Sequence, residues 1–161
     1  MDTILNTAKS GAASNCLKTQ FQNLKEGAPQ DIALFEFFDS LPAMPASRML
    51  GDWTGGILSH NHPVEQQLAA MNWHGKRFSS ANEVNPIISL DAAGNRIVND
   101  ILGTASLREV VFRGVATATM IYDKSPVFDH FRKVTEDLVV GVMDQKGNDR
   151  PLIFFLSRLA A

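Results

Sequence analysis

Apolar residues recur along this chain with two different periods, and the change from one to the other predicts its architecture. In the mostly polar first 28 residues, Leu17, Phe21 and Leu24 fall at i, i+4 and i+7, the spacing of one helical face, and Gly27 suits the stop. Pro29-Gln30-Asp31 opens a second helix on which Ile32, Phe35, Phe38 and Leu41 share a side, widened by Leu34 and Phe37. Leu41-Pro42 ends it, because the residue before a proline avoids the α region. A face so rich in phenylalanine needs cover, and the β-structure downstream is its expected partner, with the helix as a lid over one end. Residues 1–28 read as a polar extension, either a peripheral helix or the arm of a homodimer, and residues 29–161 as one domain.

From Met49 onward the period is two. Strands are predicted at 49–58, 73–78, 85–91, 107–113, 115–122, 127–134, 138–143 and 151–159, with a short helix over 64–71 and an ambiguous segment at 96–103. The connections Asp123-Lys124-Ser125-Pro126 and Thr135-Glu136-Asp137 are too short for a parallel crossover, so the strands from Val115 on form an antiparallel meander. Short strands with short connections manage their edges best by closing. The expected fold is mainly β, α+β in class: a small antiparallel calycin- or lipocalin-like barrel of about eight strands behind N-terminal helices.

Composition removes several function classes. A net charge of −2 gives no basic footprint for nucleic acid. Cys16, the lone cysteine, cannot form an intrachain disulfide. No apolar run approaches the ~20 residues of a membrane span, and the N-terminal stretch lacks the apolar core of a signal peptide. A soluble, cytoplasmic protein is expected. His60, His62, His74 and His130 have no companions at ligand spacing, so no metal is expected, and His60 and His62 read as loop and cap residues.

On the first strand Gly51, Trp53 and Gly55 share one face, and glycines beside a bulky ring let another group approach closely. Trp53 reads either as a plug of the core or as a wall on which a ligand stacks. Gly51-Asp52-Trp53-Thr54-Gly55, followed by Trp73-His74-Gly75-Lys76-Arg77-Phe78, resembles the GXWXG-motif family over about 37–80. Arg113-Gly114, the segment 118–123, Pro126, the segment 129–134 and Gly141-Val142-Met143-Asp144 resemble the domain of unknown function that follows that motif, over about 105–158. The resemblance implies one compact β-rich unit and no particular chemistry. The Gly-x-Trp-x-Gly strand is also similar, more distantly, to nitrobindin-like haem proteins of calycin type. Those need an axial histidine near the C-terminal end, and here none follows His130, so neither haem nor another cofactor is expected.

Candidate chemistry concentrates in 127–134, where both faces are mixed: Val127, Asp129, Phe131 and Lys133 on one, Phe128, His130, Arg132 and Val134 on the other. A strand between a dry core and water would alternate cleanly, whereas a pocket lining would be mixed. The pattern leaves open whether Asp129 or the His130–Arg132 pair points inward. Three functions follow. The first is binding of a small lipophilic molecule, with Trp53, Trp73, Met120, Tyr122, Phe128 and Phe131 as its wall and Lys76, Arg113, Arg132 or Asp129 as polar anchors. The second is a cofactor-free isomerase, cyclase, lyase or hydratase, with Asp129 or Asp144 as acid/base and Lys76, His130 or Arg132 assisting. The third is a structural or interaction protein whose barrel is filled and whose charges pair to hold strand register. Small residues on the meander, such as Ala118 and Gly141, leave room inside and count against the third.

Overall fold

Two helices, α1 (Asp2–Glu26) and α2 (Asp31–Ser40), precede a 3-10 turn (Ala46–Met49) and the strands β1 (Gly51–Ile57), β2 (Trp73–Ser80), β3 (Glu83–Leu90), β4 (Arg96–Val98), β5 (Ala105–Phe112), β6 (Val115–Tyr122), β7 (Val127–Thr135), β8 (Leu138–Gln145) and β9 (Leu152–Arg158). Helix α3 (Val64–Ala70) lies between β1 and β2. The computed structural model describes residues 2–160. Strands pair in the order β2-β1-β9-β8-β7-β6-β5-β3, and β2 also pairs with β3, so eight antiparallel strands close into a barrel. Closure removes the unpaired edges that an open sheet would expose. β4 stands outside the ring as a hairpin on β3, with Ile88 opposite Val98, so the first three residues of the ambiguous segment form a strand.

The helices lie against the side of the barrel and not over its end. Phe21, Leu34, Phe37, Phe38 and Leu41 pack with Val134, Val140, Val142 and Ile153, the outward residues of β7, β8 and β9. The continuous apolar run of β8 explains this, because a strand buried on both faces needs cover on both. Ile32, expected on the packed side of α2, is 67% exposed, since the contact is narrower than the helix's apolar arc. Among the described residues no helix is long and apolar enough to cross a membrane.

One end of the barrel is plugged. β6 and β7 pair only from Thr119 to Ile121 against Phe128 to His130, and the chain leaving α2 enters the gap beyond. There the Ala118 N–H donates to the Met44 carbonyl (2.8 Å) and the Lys133 N–H to the Pro42 carbonyl (2.9 Å). Met44, Met49 and Trp53 fill that end with no solvent exposure, and the Trp53 indole N–H donates to the Met49 carbonyl at 2.8 Å. At the other end, α3 and the β6–β7 turn surround a cavity.

Candidate functional site

The cavity holds about 180 Å³. Its wall is mostly apolar and aromatic, with Leu68 and Met71 from α3 and its end, Trp73 from β2, Tyr122 from β6, Met143 from β8 and Phe154 from β9, and with Gln67, Ser125 and Gln145 as neutral polar residues. Lys76 is the one lysine among the described residues that lines it. Strict alternation would put Trp73 and Lys76 on opposite faces of β2. The register steps from Trp73↔Ser89 to Gly75↔Ile88, an extra residue on β2 at His74, and this bulge turns Trp73 inward beside Lys76. His74, which strict alternation would put on the same face as Lys76, instead points out, with Nδ1 2.6 Å from the Arg96 guanidinium. A second irregularity sets two residues of β3, Pro86 and Ile87, opposite Lys76. Proline fits such a break because it has no N–H to give to the ladder, and its carbonyl accepts from Lys76 Nζ at 3.2 Å.

Lys76 Nζ also lies 3.1 Å from Asp129 Oδ2, and both side chains are buried. The centroids of Trp73, Tyr122 and Phe154 stand 5.6, 5.9 and 5.4 Å from that ammonium, close enough for cation–π attraction. An ammonium has three donors. Two are taken by Asp129 and Pro86, and the third remains for the cavity. Asp129 Oδ1 is buried with no partner. Burial raises the Asp129 carboxyl above its ordinary 3.8, opposed by the charge and hydrogen bond of Lys76. Burial, then the Asp129 charge, push the Tyr122 phenol well above 10.0, so it stays protonated. The cluster can therefore donate a hydrogen bond from Lys76 and hold or accept a proton at Asp129, in surroundings that exclude bulk water.

Residues 36–94 match the family described as GXWXG protein, and residues 103–158 match a domain of unknown function (DUF4334). A crystal structure of a protein from Thermomonospora curvata is 38% identical to this chain, with 92% of this chain and 99% of that chain covered and a TM-score of 0.84. The chain belongs to the GXWXG family. No curated protein matches it.

The GXWXG signature takes part in building the cavity. A β-carbon on Gly55 would fall within the Trp73 ring, so the last glycine of the motif lets that ring lie across β1. A β-carbon on Gly141 would likewise meet the Phe154 ring. The tryptophan of the motif itself, Trp53, does not reach the cavity. It plugs the opposite end beneath the Arg158 guanidinium, 4.2 Å from its ring centroid.

The structure gathers Lys76, Trp73 and Tyr122 at the cavity, with Asp129 directly behind Lys76. Met120 and Phe131 face into the barrel but are fully buried in the layer between cavity and plug. Phe128, His130, Arg132, Arg113 and Asp144 stand outside the barrel. Phe128, expected as wall, is 36% exposed on the outer face, because the inward face of β7 is the one carrying Val127, Asp129 and Phe131. Arg132 and His130 share that outer face. Arg132 donates to the Leu41 carbonyl (2.8 Å) and more weakly to the Phe38 carbonyl (3.4 Å), capping the C-terminus of α2. Arg113 grips Asp39 of the same helix through two bonds of 2.6 and 2.7 Å. Asp144, half exposed, lies 3.3 Å from His130 Nε2. Both faces of β7 are mixed because both are largely buried, the inner one in the barrel and the outer one from His130 onward, where Phe112 covers His130 and the end of α2 covers Arg132. Phe154 and the α3 residues were missed as wall; the alternation of β9 and the helical spacing of Leu68 and Met71 were the available signals. Among the described residues no three His, Cys, Asp or Glu side chains gather as a metal site would require.

His130 stacks on Phe112 at 3.9 Å and 5°. Burial lowers its pKa from the ordinary 6.5, partly offset by Asp144. A depressed folded pKa means stability that is complete above 6.5 and is lost as pH falls toward the folded value. Thermal melts taken from pH 7.5 to 5.5 should show a falling midpoint, and His130→Phe should flatten that slope. An unchanged slope would place the titration elsewhere.

Proposed function

We propose that this GXWXG barrel carries a small, uncharged, lipophilic molecule with one hydrogen-bond acceptor, which sits on the free donor of Lys76. The observation that carries this reading is a cavity of about 180 Å³, walled mainly by aromatic and aliphatic side chains, with Lys76 as the one charged group in its lining. An apolar cavity of about 150 Å³ accepts benzene, so the ligand is about one ring or a branched chain of similar bulk. Lys76 and Asp129 sum to zero charge, and a net-neutral dry site favours a neutral guest. The aromatic cage is already occupied by the protein's own ammonium, which argues against a cationic ligand. A barrel of about eight strands has room for one small ligand, and the eight-stranded closure supports the reading here. The open cavity weighs against a filled, purely structural barrel.

Of the two tryptophans, only Trp73 lines the cavity, so its fluorescence reports occupancy. Titration with small cyclic ketones and alcohols should shift the emission saturably, and Trp73→Phe should remove the response while native mass spectrometry still detects the complex. A flat titration together with an empty native spectrum would sink the proposal.

A second reading is favoured by the unpartnered Asp129 Oδ1 and the raised carboxyl pKa: a cofactor-free acid/base enzyme acting on such a molecule. Asp129→Asn would then bind the substrate and fail to turn it over. Normal turnover by that variant would remove Asp129 from the chemistry.

A further inference from the structure

We propose that Lys76 is an imine-forming residue, so that the guest of this cavity is an aldehyde or ketone held covalently and reversibly. The inference rests on the carriage reading above and names the functional group of its ligand. Three features carry it. Lys76 Nζ lines the cavity, whereas no other described lysine does. It sits 3.1 Å from a fully buried carboxylate, a proton acceptor in direct contact. That carboxylate keeps a second oxygen without any partner, so a proton delivered to it displaces no existing bond.

A lysine becomes a nucleophile when it sheds its proton, and desolvation promotes this. The step begins with transfer of one proton from Lys76 to Asp129 across their 3.1 Å contact, which turns the ion pair into two neutral groups. The free amine adds to the carbonyl carbon: a C–N bond forms, the C=O π pair moves to oxygen, and that oxygen takes the proton from Asp129. Asp129 then accepts a proton from the nitrogen and passes it to the hydroxyl. Water departs as the nitrogen lone pair closes the C=N bond. The products are the protonated imine, the Asp129 carboxylate and one water, so atoms and charge balance without any co-reactant. The new cation keeps the position of the old ammonium, among the faces of Trp73, Tyr122 and Phe154 and beside Asp129. The surroundings that stabilise the lysine therefore also stabilise the imine.

The test uses the full chain with benzaldehyde and cyanoborohydride at neutral pH, followed by peptide mapping. One benzyl group should be fixed on Lys76 at least about tenfold faster than on any exposed lysine, as expected of a desolvated amine. Lys76→Arg, which keeps the charge beside Asp129 and cannot condense, should lose this fast phase. Asp129→Asn should slow it. Label spread over the surface lysines, with Lys76 no faster than the rest, would overturn the inference. Benzyl alcohol, alike in size but without a carbonyl, separates the two levels of the argument through Trp73 fluorescence. If the alcohol binds and Lys76 takes no label from the aldehyde, the imine fails and carriage stands. If neither compound enters, both readings fail.

Discussion

Lys76→Met will lower folding stability by about 3–5 kcal/mol at neutral pH, because it leaves a carboxylate buried without its counter-ion. The Asp129 side chain is only 2% exposed and one of its oxygens already lacks a partner, so water cannot take over from the lysine. The loss depends on pH in a definite direction. Asp129 has a folded pKa above its ordinary 3.8, so the folded state holds the proton more tightly than the unfolded chain does. Its contribution is complete below 3.8 and is lost as pH rises through the folded value. Removing Lys76 raises that value further. The difference between variant and wild type should therefore shrink on acidification, as protonation relieves the stranded charge. Urea unfolding at pH 8 and pH 5 measures both the size and the trend. The double variant Lys76→Met, Asp129→Leu should recover most of the loss, since apolar replacements of a buried pair are often neutral or stabilising. A single-variant loss below about 1 kcal/mol would mean that the pair is as weakly coupled as exposed ones are.

Trp53→Ala should have an effect of similar size for a different reason. Trp53 is fully buried, fills the plugged end and donates its indole N–H to the Met49 carbonyl. Truncating a large aromatic in a core costs about 3–5 kcal/mol, through lost transfer energy and the void left behind. For a domain of this size that is a fall in melting temperature of about 6–20 °C. Trp53→Phe should lose less, near the about 1–3 kcal/mol of a buried acceptor left unpaired together with a smaller void. Ligand binding at the far end should survive in Trp53→Phe if the plug and the cavity are separate parts of the barrel. Loss of binding with the melting temperature unchanged would show that they are coupled.

Much of the barrel was legible along the chain. The meander from Val115 to Met143 was set by strand-forming residues and turns too short for any parallel return, and β6 begins and ends where the pattern predicted. Helix α2 was legible in its phenylalanines, and its stop in Pro42. Of the site, Lys76, Trp73, Tyr122 and Asp129 were all in view as chemistry-bearing residues, but so were His130, Arg132, Asp144, Arg113 and Phe128, which stand outside. Alternation assigns residues to two faces without saying which face is inside. Here it was especially uninformative, because the outer face of β7 is buried from His130 to Val134 much as the inner one is from Val127 to Phe131.

By itself the sequence determined local and short-range features: the two periods, the helix ends, the antiparallel hairpins, and the glycines that make room for rings. These depend on backbone geometry and on neighbours a few residues away, which the order of residues states directly. The tertiary structure alone decided the closure of the barrel through β1 on β9, the lie of the Trp73 ring across Gly55 of β1, and the docking of α2 on the barrel's flank. It also decided the pairing of Lys76 with Asp129, 53 positions later in the chain. Each of these depends on contacts between distant segments. Their energies are set by which surfaces remain uncovered once the hairpins have formed, and not by any local preference of the residues involved.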